Sequence, residues 1–264
     1  MTGPRRIICL TEETTETLYR LGVSDRIVGI SAFTVRPPEA KRDKPVVSQF
    51  VRAKIDDIVA LKPDLVLGFS DLQSKVCAEL IERGLEVYCF NQRSIRGILG
   101  MVTTLGRLVG ETKRGDALAA ELLGNVDAAR EAARQLPVRP RVFFEEWPDP
   151  IITGIRWVVE IIEAAGGDDC FNELSKAVLA KDRIVAPAEV IKRKPDLYLA
   201  SWCGKKFRAD AARARPGFAG ALFTQEERMV AIDSSLILQP GPAALSDGLA
   251  VVQREIARVA ELMQ

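Results

Sequence analysis

The hexapeptide Lys62-Pro63-Asp64-Leu65-Val66-Leu67 returns as Lys194-Pro195-Asp196-Leu197-Tyr198-Leu199, 132 positions later. Each copy follows a helix-like stretch, IDDIVAL in the first case and PAEVIKR in the second, and runs on to an aromatic residue, Phe69 or Trp202. Proline stops the helix and the aspartate opens a buried apolar strand. One such connector can arise in any α/β protein. However, Arg6-Ile7-Ile8 and Arg141-Val142-Phe143 stand at nearly the same offset. Two matched elements in the same order point to a duplicated pair of lobes.

Between these landmarks, short apolar runs alternate with helical spacing, the pattern of α/β lobes with parallel sheets. Strands are expected at Arg6–Leu10, Ile27–Ser31, Asp64–Phe69 and Glu86–Phe90, then at Arg141–Trp147, Asp196–Trp202 and Met229–Asp233. Helices are expected at Glu13–Leu21, Lys54–Leu61, Leu72–Arg83, Trp157–Ala165 and Leu249–Met263. The alanine-rich stretch from Glu111 to Leu136 is strongly helical and ends at Pro137 and Pro140. At ~1.5 Å per residue it would be a rod of ~30 Å or more joining two lobes at a fairly fixed separation. The expected division is an N-terminal lobe over residues 1–110, a connecting helix over 111–137, and a C-terminal lobe over 138–264. A chain of 264 residues accommodates two such lobes.

Several function classes drop out on composition. The chain has no histidine, which removes Ser–His and Cys–His pairs and every metal site built on imidazole. With 37 basic and 36 acidic residues, nothing sequence-wide points to nucleic acid or a membrane surface. The five cysteines show no C-x-x-C spacing, and Cys9 and Cys89 lie in apolar runs, which suits a reducing compartment. MTGPRRIICL enters a strand at once and carries no export signal as written. The expectation is therefore a cytoplasmic protein, or a periplasmic one if a native leader was trimmed. No metal site and no catalytic residue is expected, and a monomer is.

Ligands of open parallel sheets gather beyond the carboxyl ends of the strands. In the first lobe these ends lead into Thr11-Glu12-Glu13-Thr14, the loop from Ala32 to Pro38, and Gly68-Phe69-Ser70-Asp71. In the second they lead into Glu145 to Pro150, Ser201 to Lys206, and Leu238 to Pro242. Large flat side chains on such loops suit a bulky, mostly apolar ligand edged by polar groups. Trp147 and Trp202, bracketed by proline, glycine and charge, read as surface anchors. Glu145 and Glu146 are adjacent in a strand, so they point to opposite faces and cannot flank one bond. Cys203, on a glycine turn beside Lys205, Lys206 and Arg208, is expected to have a depressed pKa, and so to be a possible nucleophile or axial metal ligand.

The segments RIICLTEETTETLYRLGVSDRIVGIS, KIDDIVALKPDLVLGFSD, EEWPDPIITGIRWVVEIIEAAGG and LILQPGPAALSDGLAVV together resemble the cobalamin- and iron-siderophore-type substrate-binding proteins of ABC importers. The likeness covers essentially the whole chain and looks closest to the vitamin B12 binders. It implies an α/β fold of two Rossmann-like lobes with parallel sheets joined by a single long backbone helix, the class III periplasmic-binding-protein arrangement. It also implies non-catalytic binding of cobalamin or a related corrinoid between the lobes, with cobalamin as bound ligand rather than cofactor. Ligand-facing candidates by position are Phe33, Phe50 and Phe69 in the first lobe, and Glu146, Trp147, Trp202, Cys203, Gly204 and Lys205 in the second, bordered by Gln239 and Gly241. Family members normally present an acidic residue on each lobe to the permease. Here Asp71 is the only acid in its loop and the second loop is basic, which puts docking to a standard permease in doubt. Two other readings stand beside this one. One is a receptor for an anionic metal chelate, a ferric siderophore or haem-like molecule, neutralised by Lys205, Lys206, Arg208 and Arg36. The other is an enzyme that depends on Cys203.

Overall fold

The computed structural model describes residues 3–264, which divide into two compact units. One comprises the chain up to Gln92 together with Arg96–Leu122; the other comprises Arg93–Ile95 and Leu123–Gln264.

In the first unit, β1 (Ile7–Cys9) leads into α1 (Glu12–Arg20), then β2 (Ile27–Ser31), α2 (Ala40–Asp43), β3 (Val46–Gln49), β4 (Arg52–Ala53) and α3 (Ile55–Ala60). There follow β5 (Leu65–Phe69), α4 (Ser74–Glu82), β6 (Val87–Phe90) and α5 (Ile95–Leu108). The strand order is β4-β3-β2-β1-β5-β6, with β1 and β5 central and buried on both faces. Ile8, Leu10 and Val66 pack on Ile55, Ile58 and Leu80 from the covering helices.

The helix α6 (Thr112–Ala133) is continuous over 22 residues, ~33 Å at ~1.5 Å per residue. The boundary between the two units falls within it, at Leu122 and Leu123. The second unit continues with β7 (Arg141–Pro148), β8 (Ile151–Thr153), α7 (Arg156–Ala164), β9 (Asp168–Asp169), α8 (Pro187–Arg193), β10 (Leu197–Ala200) and α9 (Ala209–Arg213). It closes with β11 (Met229–Ala231), α10 (Ser234–Ile237) and α11 (Asp247–Leu262). Its sheet runs β11-β10-β7-β8, with β9 beside the start of β7. Phe143, Tyr198, Phe218 and Phe223 fill one face.

The repeated hexapeptide does the same job twice. Lys62 and Lys194 both adopt left-handed backbone, with φ 46° and 48°. The proline that follows each excludes the right-handed helical region for the lysine, so the helix ends there. Asp64 N–H then donates to Arg6 O at 2.9 Å, and Asp196 N–H to Arg141 O at 2.8 Å. The carboxylates return the bond: Asp64 Oδ1 accepts from Arg6 N at 2.8 Å, and Asp196 Oδ2 from Arg141 N at 2.8 Å. Each aspartate thus zips the start of its strand to the first strand of its own sheet.

The sheets are mixed rather than purely parallel. β4 runs antiparallel to β3, and β8 antiparallel to β7. Both are hairpin returns at the carboxyl ends of their partners, where a two- or three-residue strand can form without a crossover.

Candidate functional site

In the first unit, Gln73 gathers three strand ends. Its Nε2 donates to Leu10 O at 3.2 Å and Phe50 O at 2.7 Å, while its Oε1 accepts from Phe69 N at 2.9 Å. The side chain is 1% exposed, so all three bonds are made out of water and each counts for more than it would on the surface. Ser70, in left-handed backbone at φ 63°, turns the chain there, and its Oγ accepts from Leu72 N. A residue read from sequence only as part of an amphipathic helix therefore fixes the carboxyl ends of β1, β3 and β5.

Beside it, α1 begins with buried acids. Glu12 Oε2 accepts from Val35 N at 3.2 Å, and Glu13 Oε1 from Thr11 Oγ1 at 2.7 Å. Glu16 pairs with Arg36 at 3.3 Å. Desolvation first, and then the neighbouring carboxylates, push Glu12 up to about 8; burial pushes Glu13 up to about 7.

In the second unit, Ala200 sits opposite Glu145 in the β10–β7 ladder, and Ser201 N donates to Glu145 O at 3.0 Å. This register carries Trp202 over Glu145. Trp202 Nε1 donates to Glu145 Oε1 at 2.7 Å, and Arg215 Nη2 reaches the same oxygen at 2.9 Å and Pro148 O at 3.0 Å. Arg215 Nη1 donates to Glu145 Oε2. Glu145 is fully buried and its charge is matched by Arg215. The adjacent Glu146 points the other way, to Arg183, at 2.8 Å and 3.2 Å. The opposite-face expectation for the two carboxylates holds, and each has its own arginine.

Beyond Trp202 lies a pocket of about 790 Å³. Its apolar walls are Pro148, Pro150, Ile151, Val185, Pro187 and Trp202; Lys205, Lys206, Arg208 and Arg215 supply positive charge, and Asp149 one carboxylate. Lys205 Nζ stands 4.0 Å from the centroid of the Trp147 ring, a cation–π contact, and the Trp147 Nε1 donates to Asp149 O at 2.9 Å.

Trp202, Lys205 and, through Lys205, Trp147 are thus brought to one place. Trp202 is nevertheless buried, 6% exposed, with its ring edge-on to Phe207 at 4.9 Å, and presents only part of its surface to the pocket. It is not the exposed anchor expected from its polar flanks; the Glu145 carboxylate draws the indole N–H inward. Trp147 is half-buried. In the first unit Phe33 is exposed, Phe50 half-buried and Phe69 buried. Gly204 has φ 67°, which shapes the turn between Cys203 and Lys205. Gln239 is half-buried, and Gly241 is buried with its N–H on Gln239 O at 2.8 Å. Neither lines the pocket, and neither do Glu146, Cys203 and Gly204.

The expectation for Cys203 reverses. Its residue is exposed, but desolvation of the thiol, followed by the Glu146 carboxylate, raises its pKa instead of lowering it. Lys205, the cation nearest in sequence, is held over the Trp147 ring.

A model of the periplasmic binding protein family matches residues 7–236. The vitamin B12-binding protein of Vibrio campbellii is 29% identical over 203 residues, 75% of this chain and 72% of that one. A cobalamin-binding protein of Halobacterium salinarum is 26% identical over 246 residues, 90% of this chain and 66% of the relative. Among solved structures, the periplasmic vitamin B12 binding protein of Vibrio cholerae superposes with a TM-score of 0.77 at 21% identity, covering 98% of each chain. The periplasmic heme-binding protein of Roseiflexus sp. RS-1 superposes with a TM-score of 0.80 at 25% identity, covering 96% of this chain and 100% of that one. With two α/β units, mixed sheets and a long helix carrying the chain from one unit into the other, this chain belongs to the periplasmic binding protein family.

Proposed function

We propose that this protein is a non-catalytic receptor for cobalamin or a related corrinoid, working with an ABC permease or handling the ligand inside the cell. The observation that carries the reading is the pocket at the carboxyl end of the second sheet, where proline, aliphatic and indole surface forms the walls and cations the margin. Apolar walls with a few fixed polar groups are what a large, flat, amide-fringed ligand needs. The names of the Vibrio campbellii and Halobacterium salinarum relatives support it. A binding role also fits the chemistry: Glu145 and Glu146 are each held by an arginine, and the Cys203 thiol is shifted away from the thiolate.

An anionic metal chelate is a second reading, favoured by Lys205, Lys206 and Arg208 around the pocket and by likeness to a protein named as heme-binding. Absorbance spectra decide between them. The purified protein is incubated separately with cyanocobalamin, haem and a ferric hydroxamate siderophore, then desalted. The corrinoid reading expects the cobalamin spectrum to travel with the protein. Retention of haem or siderophore with no cobalamin would replace it with the second reading.

A further inference from the structure

The pocket's cations differ in how much of their charge is already spent. Arg215 is committed to Glu145 and Pro148 O. Lys205 rests on the Trp147 ring, which polarises towards it without cancelling its charge. Neither Lys206 nor Arg208 has an ion pair among the described residues, and both are exposed. Three cations thus face a pocket with one lining carboxylate, Asp149. Trp202, Pro148, Pro150 and Pro187 supply apolar surface to the same pocket. Such a pairing recognises a ligand segment that has an anionic centre next to a planar hydrophobic group. A volume of about 790 Å³ accommodates a fragment of nucleotide size, and a whole corrinoid would be held there only in part.

Resting on the corrinoid reading, we infer that this pocket is a subsite for the nucleotide arm of the ligand, with Lys205, Lys206 and Arg208 on its phosphodiester and the Trp202 wall against its aromatic base. The corrin ring is fringed with neutral amides and its own negative charge is taken up by the cobalt, so the phosphodiester is the one anionic group on cobalamin's periphery. The three cations therefore make the receptor selective for complete corrinoids over those without the nucleotide. Arginine and lysine serve a phosphodiester as fork and point charge respectively, so the three can share its two free oxygens. Because the cations are exposed, their contribution is screened by salt over about 8 Å at physiological ionic strength.

The test compares cyanocobalamin with dicyanocobinamide, which lacks the nucleotide arm, by calorimetric titration. It uses the intact protein and the variant Lys205→Ala/Lys206→Ala/Arg208→Ala; all three positions are exposed, and a melt on each sample confirms folding. The intact protein is expected to prefer cobalamin by tenfold or more, with the preference shrinking as salt rises. In the variant the ratio of the two affinities falls towards one. Equal affinities in the intact protein overturn the subsite, as does a variant that weakens both ligands by the same factor. If neither corrinoid binds the intact protein, the functional reading itself fails and takes the subsite with it.

Discussion

Trp202 Nε1 and Glu145 Oε1 are 2.7 Å apart, a hydrogen bond from an indole at the pocket wall to a carboxylate with no solvent exposure. The bond explains why a tryptophan in a polar loop is 6% exposed, and it ties the pocket's shape to the Glu145–Arg215 pair behind it. Trp202→Phe keeps most of the apolar wall but leaves Arg215 as the donor to Glu145 Oε1. A stability loss of ~1 kcal/mol is expected by urea denaturation, the usual net worth of one lost hydrogen bond. Trp202→Ala removes the wall as well, and cobalamin affinity is expected to fall by ~2 kcal/mol or more in a titration. Unchanged affinity in the alanine variant would show that the ligand does not touch this wall.

Glu12 supplies a pH signature. Burial raises its pKa from 4.5 to about 8, so between those values the folded state keeps a proton that the unfolded state releases. Glu12's contribution to stability is then fully present below about pH 4.5, is lost as pH rises towards 8, and levels off above it. Glu13 and the buried Asp169, each raised to about 7, act with the same sign. Glu12→Gln should flatten the profile, so that the loss between pH 5 and 8.5 shrinks by ~2 kcal/mol or more. Urea denaturation of both proteins at the two pH values measures this, and parallel profiles would count against a neutral buried Glu12.

The reactive thiol is expected in the other unit. Cys77 Sγ and Cys89 Sγ converge over Gly68, where an added Cβ would stand 2.9 Å from the first and 3.8 Å from the second. The Cys77 thiol donates to Cys89, which lowers the pKa of Cys89 while that of Cys77 rises. Iodoacetamide at pH 7 should therefore label Cys89 well ahead of Cys203, although both residues are exposed. Peptide mass spectrometry over a time course reads the order; Cys203 labelling first would contradict it.

Two glycines should respond in opposite directions to alanine. Gly248 stands at the foot of α11, and a Cβ on it would lie 2.2 Å from Leu236 O, a backbone atom of α10. Gly248→Ala is expected to cost ~2–3 kcal/mol, as overpacking of a fixed contact does. Gly124, inside α6, has nothing within 4 Å of its added Cβ, so Gly124→Ala should stabilise by ~0.5–1 kcal/mol through helix propensity alone. Thermal melts of the two variants should shift apart.

Seven of the strands coincide with apolar runs visible in the sequence, within a residue or two. β3, β4, β8 and β9 do not; each is held extended by the strand it pairs with. Asp168–Asp169 is the clearest case: two aspartates, poor strand formers, are extended only because they pair with Arg141 and Val142. α5 has apolar residues at helical spacing, Ile95, Ile98, Val102 and Leu105, but Gly97, Gly100 and Gly106 dilute the signal. Gly106 is there for a packing reason, since its Cβ would meet Gly115 Cα at 2.9 Å.

The site was less legible than the fold, and the motif residues show why. In the run from Glu146 to Gly167, Trp157 Nε1 donates to Ile237 O at 2.9 Å inside the second unit. A Cβ on Gly166 would meet Leu136 at 2.5 Å, and one on Gly167 would meet Val142 at 2.8 Å. These residues secure packing, so they mark the family and say little about its ligand. Gln73, Arg215 and Glu145 organise the strand ends, yet each does so through partners far away in sequence, at separations of 63, 70 and 57 residues. No local pattern encodes such a contact.

Calorimetric titration of the purified protein with cyanocobalamin tests the central claim most directly. One-site binding with Kd at or below ~1 μM, about −8 kcal/mol, is the predicted result, with a negative heat-capacity change from buried apolar surface. No binding heat at ~100 μM ligand across two temperatures, in a sample shown to be folded, would contradict it.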